Sequence, residues 1–234
     1  MNTVSFSHYF LPERYTRKKG HAAFPKRGML TMMLVIGATW PLMLWFAKRV
    51  NDGGDEPWGL IPLLVALGFL WREWRQGNAP WQLSSLRSCT GAIVLLATAL
   101  STLHLPPLLR AMMAIFGVCL LIGLRRHAAI ALLLLLSLPV ISSLQFYAGW
   151  PLRLLVSEGA VVLLKLLGFS AKAQQAMIYL EQHAIAVDPA CSGIRFLWHG
   201  CVVAAWIAAW RGVSARATLL MLLTTVALVL AANV

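Results

Sequence analysis

Residues 217–234 read ATLLMLLTTVALVLAANV and contain no charged side chain. The run is close in length to the about 20 apolar residues that an α-helix needs to cross a bilayer. A helix satisfies its own backbone polar groups in hydrocarbon, so the run predicts a transmembrane helix. The same character extends through the chain, because 59% of its 234 residues are hydrophobic, against about 45–50% in soluble domains.

Further apolar runs predict an all-α fold, a polytopic bundle of about seven transmembrane helices. The first 28 residues are polar and basic without an apolar centre, so we expect no cleavable signal peptide. The predicted spans are Met29–Ala47, Pro57–Trp71, Ser88–Leu103, Pro107–Leu124, Ala128–Tyr147, Ser192–Trp210 and Ala217–Val234.

The formal net charge of +12 comes from basic residues that lie in short loops and at span ends, a placement that indicates membrane topology. We therefore expect no nucleic-acid partner. The positive-inside rule predicts a cytoplasmic N-terminus, and it places residues 148–190 and the segment that follows them on the outer face of the cytoplasmic membrane. The predicted organisation is a basic cytoplasmic segment (1–28), five spans (29–147), an outer interfacial helix with a polar loop (148–190), and a pair of helices (191–234). The basic residues of the predicted cytoplasmic loops are Arg72, Arg75, Arg87, Arg125, Arg126, Arg211 and Arg216.

The outer segment begins with AGWPLRLLVSEGAVVLLKLLGF, residues 148–169. It has the length of a span, but Arg153, Glu158 and Lys165 interrupt it, and charges are costly at the bilayer centre. The pattern favours an amphipathic helix in the outer interface, with a re-entrant insertion as the alternative. The alternating stretch MIYLEQHAIAV, residues 177–187, predicts a short β-ribbon.

Polar and ionisable groups cluster in VDPACSGIRFLWHG, residues 187–200. Pro189 favours a break before a helix, which would place Cys191 in the first turn of the sixth span. Free N–H groups and the helix dipole stabilise a thiolate there. Arg195, four residues further on, would add to this effect. The residues alone leave two interpretations of Cys191 open, a nucleophile and a small packing residue.

The residues near Cys191 also have more than one possible role. Ser192 and Gly193 are small enough for a substrate backbone to approach, and their amides are candidates for stabilising an oxyanion. Asp188 fits a turn or cap residue, and His199 fits a hydrogen-bonded core histidine. The chain has four cysteines, whose placement implies no disulfide framework, and we expect neither a metal nor a cofactor.

The run DPACSGIRFLWHG, residues 188–200, strongly resembles the exosortase/archaeosortase family of multi-pass membrane cysteine transpeptidases. LQFYAGWPLRLLVSEGAVVLLKLLGF, residues 144–169, and EPWGLIPLL, residues 56–64, extend the similarity. The resemblance implies that Cys191 is the nucleophile and forms a thioester. It also implies a substrate class, the C-terminal sorting signals of exported proteins, which carry a Pro-Glu-Pro-like motif, an apolar helix and a basic tail. It does not identify the acyl acceptor.

The family pattern also has an Arg shortly after an Asn at the outer end of the next span, and a His further on. Asn233 matches the start of that pattern, but no Arg or His follows it in the sequence. The expected catalytic set is therefore incomplete, and we expect a shortened chain or a degenerate relative. A non-catalytic protein that binds C-terminal tails and a small membrane transporter are the alternative functions.

Overall fold

The computed structural model describes residues 26–51, 57–75, 86–101, 105–122, 128–180 and 183–234. The basic segment 1–28 lies almost wholly outside the described residues. Helices account for most of the described chain, and two short 3-10 turns occur at Pro57–Gly59 and Pro189–Ser192. The helices are α1 (Lys26–Asn51), α2 (Leu60–Arg75), α3 (Leu86–Leu100), α4 (Pro107–Ile122), α5 (Ala128–Leu136), α6 (Ile141–Leu166), α7 (Ile194–Arg211) and α8 (Ala215–Ala232).

The protein is a helical membrane protein. Among the residues that the structure describes, three helical segments are long and apolar enough to cross a bilayer, namely α6, the stretch Pro189–Arg211 and α8. Shorter apolar helices run over Cys89–Leu100 and Pro107–Leu121. The helical membrane fold is thus confirmed, whereas the number of seven spans stays a prediction.

The fifth predicted span, Ala128–Tyr147, is wrong as a single helix. It divides into α5, which ends at Leu136, and the first turns of α6. Pro139 explains the break, because its ring disfavours helical geometry at Leu138 and it has no N–H to donate. The Ser137 hydroxyl donates to Leu134 O over 2.6 Å, and Trp198 Nε1 donates to Leu136 O over 3.1 Å. The break is therefore braced from α7.

The outer segment begins inside α6, which continues without interruption to Leu166. Gln145 bonds to the turn before α7, and Gly159 lies against Val234, just after α8. These α6 positions are about 21 Å apart at 1.5 Å per residue. Helix α6 therefore passes across the neighbouring ends of α7 and α8. Whether residues 148–169 lie in the membrane interface stays a prediction.

A three-stranded antiparallel sheet follows α6, an addition to the predicted all-α fold. Its strands are β1 (Ala171–Gln174), β2 (Met177–Leu180) and β3 (His183–Ala186), in the order β1-β2-β3. The predicted ribbon is confirmed by the pairing of β2 with β3, Met177 opposite Ala186. The sequence prediction missed β1. The sheet packs on α6 through a buried cluster, Val161, Ala171, Ala176, Ile178 and Val187.

Helices α7 and α8 form an antiparallel hairpin. Gly212 ends α7, and the Ser214 hydroxyl caps α8 by accepting from the Ala217 N–H. The buried face of α7 belongs to the main core, which it shares with α2, α5 and α6. Its buried members are Ala66, Ile130, Leu133, Ile141, Ile194, Trp198, Val202 and Ala205. The hairpin brings the end of α8 beside the residues that precede α7.

Candidate active site

Cys191 lies in a 3-10 turn, Pro189–Ser192, which we call the Cys191 turn. The Asp188 carboxylate accepts from the Ala190 N–H over 2.8 Å, and the Cys191 N–H donates to Asp188 O over 2.8 Å. Pro189 fits the first position of such a turn because its φ is already restricted. The predicted cap role of Asp188 is confirmed. The result is a short, internally bonded turn with an exposed thiol.

Cys191 is not in the first turn of a continuous α-helix, as the sequence predicted. Gly193 separates the Cys191 turn from α7 with a φ of 75°, a left-handed conformation that favours glycine. Helix α7 begins at Ile194, so Arg195 is not one helical turn beyond Cys191. The predicted placement of Arg195 one turn beyond Cys191 on the same helix face is therefore wrong.

Gln145 holds the Cys191 turn from the side of α6. Its Nε2 donates to Pro189 O over 2.7 Å, and its Oε1 accepts from the Ser192 hydroxyl over 3.3 Å. A single amide thus bonds both ends of the turn. The sequence analysis missed Gln145, and its signal was a long amide side chain between apolar residues a few positions after the Pro139 break.

Asn233 holds the same turn from the end of α8. Its Nδ2 donates to the backbone oxygen of Cys191 over 3.2 Å. The Asn233 amide also fills the space beside Gly193, where a Cβ atom would lie 2.5 Å from Nδ2. The predicted open approach for a substrate backbone at Gly193 is therefore wrong on that side. The structure brings together three of the candidate residues, Asn233, Gly193 and Cys191.

The other candidates face different partners. Ser192 is 1% exposed and its hydroxyl is directed to Gln145, so its side chain supports the turn. Arg195 is exposed in the first turn of α7, and its carbonyl oxygen lies 2.6 Å from His199 Nδ1. His199 is exposed and not a core residue, with edge contacts to Trp198 and Trp58 at ring-centroid distances of 5.0 and 5.9 Å. A carbonyl only accepts, so His199 Nδ1 donates in this contact.

The four cysteines are free thiols in different environments. Cys119 is buried, Cys201 is half-buried, and Cys89 and Cys191 are exposed. Cys191 is held on a turn between helices, whereas the others lie within α3, α4 and α7. Across the described ranges, His, Cys, Asp and Glu side chains form no group of three suited to a metal ion.

The family model described as transmembrane exosortase matches residues 45–234, a range that contains the Cys191 turn, Gln145 and Asn233. No curated protein and no solved structure matches the chain. Exosortases are in general cysteine transpeptidases with a sorting role. Since the match covers most of the sequence, the chain belongs to the transmembrane exosortase family.

Proposed function

We propose that this protein is a sorting transpeptidase that uses Cys191 to cleave C-terminal sorting signals of exported proteins. The observation that carries the proposal is the exposed thiol on a turn braced from two helices, by Gln145 of α6 and by Asn233 after α8. The match to the transmembrane exosortase family supports the same class of activity. The substrates would carry a Pro-Glu-Pro-like motif, an apolar helix and a basic tail.

The bracing suits nucleophilic catalysis. A nucleophile gains most when it is held close to its productive geometry by bonded neighbours. Here the backbone of Cys191 is fixed on both sides, because its N–H donates to Asp188 O and its carbonyl accepts from Asn233. The side chain itself stays exposed.

The reaction would proceed in two displacements. Cys191 Sγ loses its proton to a base and attacks the carbonyl carbon of the peptide bond, forming a C–S bond and a tetrahedral oxyanion. The C–N bond then breaks, the amine nitrogen takes a proton, and a thioester remains on Cys191. A nucleophilic group of the acceptor attacks the thioester, forms the new acyl bond and releases the thiol.

The charge distribution supports an orientation for this chemistry. Arg211 and Arg216 flank the α7–α8 turn, at the opposite end of α7 from Cys191. The positive-inside rule would put that turn in the cytoplasm and Cys191 on the outer face. In this orientation the part of α6 that contacts the Cys191 turn would lie on the outer side, where an exported protein is accessible.

The test follows a model substrate in cells that express the protein. The model substrate is a soluble exported domain followed by Pro-Glu-Pro, a Leu/Ala helix of about 20 residues and a short basic tail. Mass spectrometry should find its C-terminus shortened with the wild-type protein and intact with Cys191→Ala. The exposed Cys89 gives a matched control, because Cys89→Ala should leave processing unchanged. Normal processing by Cys191→Ala would end the transpeptidase proposal. Retention of an uncleaved substrate on the wild-type protein would instead favour a non-catalytic binder.

A further inference from the structure

A groove of about 940 Å³ runs between α7 and α8. Its α7 wall includes Phe196, Gly200, Val203 and Ile207, whose spacing of three or four residues places them on one helix face. Its α8 wall includes Leu220, Thr224, Thr225 and Val229. We call this feature the α7–α8 groove.

The groove has a narrow floor and open rims. A Cβ atom on Gly200 would lie 3.0 Å from Thr225 and 3.1 Å from Val229, so the two helices approach closely there. Val203 and Leu220, in contrast, are 51% and 64% exposed. Phe196 and Ile207 are separated by about 16 Å along the helix axis. The groove is therefore a channel about three helical turns long that is open along its side.

Apolar surface lines the middle of the groove. The Thr224 hydroxyl donates to Leu220 O and the Thr225 hydroxyl donates to Met221 O, each over 2.8 Å. Both side chains thus satisfy their polar groups within α8 and present methyl groups. A polar ligand would find no free hydrogen-bonding group along this stretch. An apolar helix could bury its surface there without leaving a hydrogen-bonding group unpaired.

The polar end of the groove adjoins the Cys191 turn. His199 and Asn233 line this end, and Asn233 is bonded to the backbone oxygen of Cys191. The opposite end, at Ile207 and Leu220, lies toward the α7–α8 turn and its arginines. A peptide whose reacting bond is at Cys191 and whose following residues form an apolar helix would meet these features in that order.

We propose that the α7–α8 groove binds the apolar helix of the substrate, with the N-terminal end of that helix at Asn233 and its C-terminal end at Ile207. This inference rests on the proposed function, since it takes the occupant to be the segment that follows the cleaved bond. Packing against Gly200 and between the rims would fix the substrate helix, and its register would bring the peptide bond before it to Cys191.

Site-specific photo-cross-linking tests the inference separately from catalysis. The cross-linking amino acid is placed at Phe196, Val203, Thr224 or Leu219 of the Cys191→Ala protein, and the model substrate is the probe. The first three positions line the groove and should capture the probe. Leu219 is also exposed on α8 but lies outside the groove, and should not. Phe196 should join to the first turns of the probe helix.

Several outcomes would overturn the inference. One is equal capture at Leu219 and Thr224, which indicates diffuse contact in the lipid. Capture of a second copy of this chain in place of the probe would assign the groove to self-association. Joining of Phe196 to the last turns of the probe helix would contradict the orientation. Specific capture without cleavage by the wild-type protein would leave the docking inference intact and remove the proposed function.

A pair of bulky substitutions gives an independent measurement. Thr224→Trp fills the groove from its exposed rim, and we expect it to reduce processing at least tenfold. Leu219→Trp adds an indole to the same helix outside the groove and should leave processing within about twofold. Equal rates for the two variants, with both proteins correctly folded, would contradict binding in the groove.

Discussion

The Asn233 side chain donates a hydrogen bond to the backbone oxygen of Cys191 over 3.2 Å. The contact joins residues 42 positions apart and connects the end of α8 to the turn that presents the thiol. A hydrogen bond of this kind contributes about 1 kcal/mol net. If the Cys191 turn moves when this bond is lost, the effect on the reaction barrier at Cys191 is larger than the energy of the bond alone.

Asn233→Asp removes the donor with little change in size. We expect processing of the model substrate to fall by at least fivefold, which is about 1 kcal/mol in the barrier, because a carboxylate cannot donate to the Cys191 carbonyl. Initial rates at saturating and limiting substrate measure the effect. Unchanged rates would show that the bond does not position the thiol.

Gln145→Glu tests the brace from α6. The new carboxylate would face Pro189 O at the present 2.7 Å contact, where two acceptors repel each other. We expect a loss of about 1–3 kcal/mol in stability and a loss of processing. Gln174→Glu, on an exposed residue of β1, is the matched control and should change neither. Equal thermal melting curves and rates for the two variants would contradict a bracing role.

The sequence predicted the types of secondary structure better than the positions at which helices break and begin. The membrane helices and the β2–β3 ribbon follow directly from hydrophobic runs and alternation. The break at Pro139 was missed because the apolar run continues on both sides of it, and composition alone does not show where a helix changes direction. The sequence also did not predict where α6 begins, since Leu144 and Phe146 near its start are as apolar as the residues of α5.

The sequence identified some residues of the candidate site, but it missed Gln145 and did not predict the contacts between the residues. Cys191 and Asn233 were identified by the family pattern, but their hydrogen bond depends on how α8 returns beside the Cys191 turn. Gln145 has no motif of its own and acquires its role through Pro189 and Ser192, which are 44 and 47 residues away. Such pairings depend on tertiary packing, which local sequence patterns do not contain.

Substitutions at two glycines with similar backbone conformations distinguish the cost of backbone strain from the cost of a steric clash. Gly193 and Gly212 have φ values of 75° and 62°, but a Cβ on Gly193 would meet Asn233 whereas one on Gly212 would meet nothing within 4 Å. Gly212→Ala should therefore cost about 1–2 kcal/mol from its left-handed conformation alone. Gly193→Ala should cost more and abolish processing, because Asn233 must move. Melting temperatures that are equal for the two variants would refute the proposed contact.

The orientation of the site is tested by two single-cysteine proteins. One retains Cys191, and the other carries Ala215→Cys, an exposed position at the start of α8. The 18 residues of α7 extend over about 27 Å, close to the hydrocarbon thickness, so the two thiols should lie on opposite sides of the membrane. The positive-inside rule assigns the side with Arg211 and Arg216 to the cytoplasm. A membrane-impermeant maleimide should label Cys191 in intact cells and the cysteine at position 215 only after permeabilisation. The reverse pattern would invert the proposed topology, and labelling of both thiols in intact cells would show that α7 does not separate them across the bilayer.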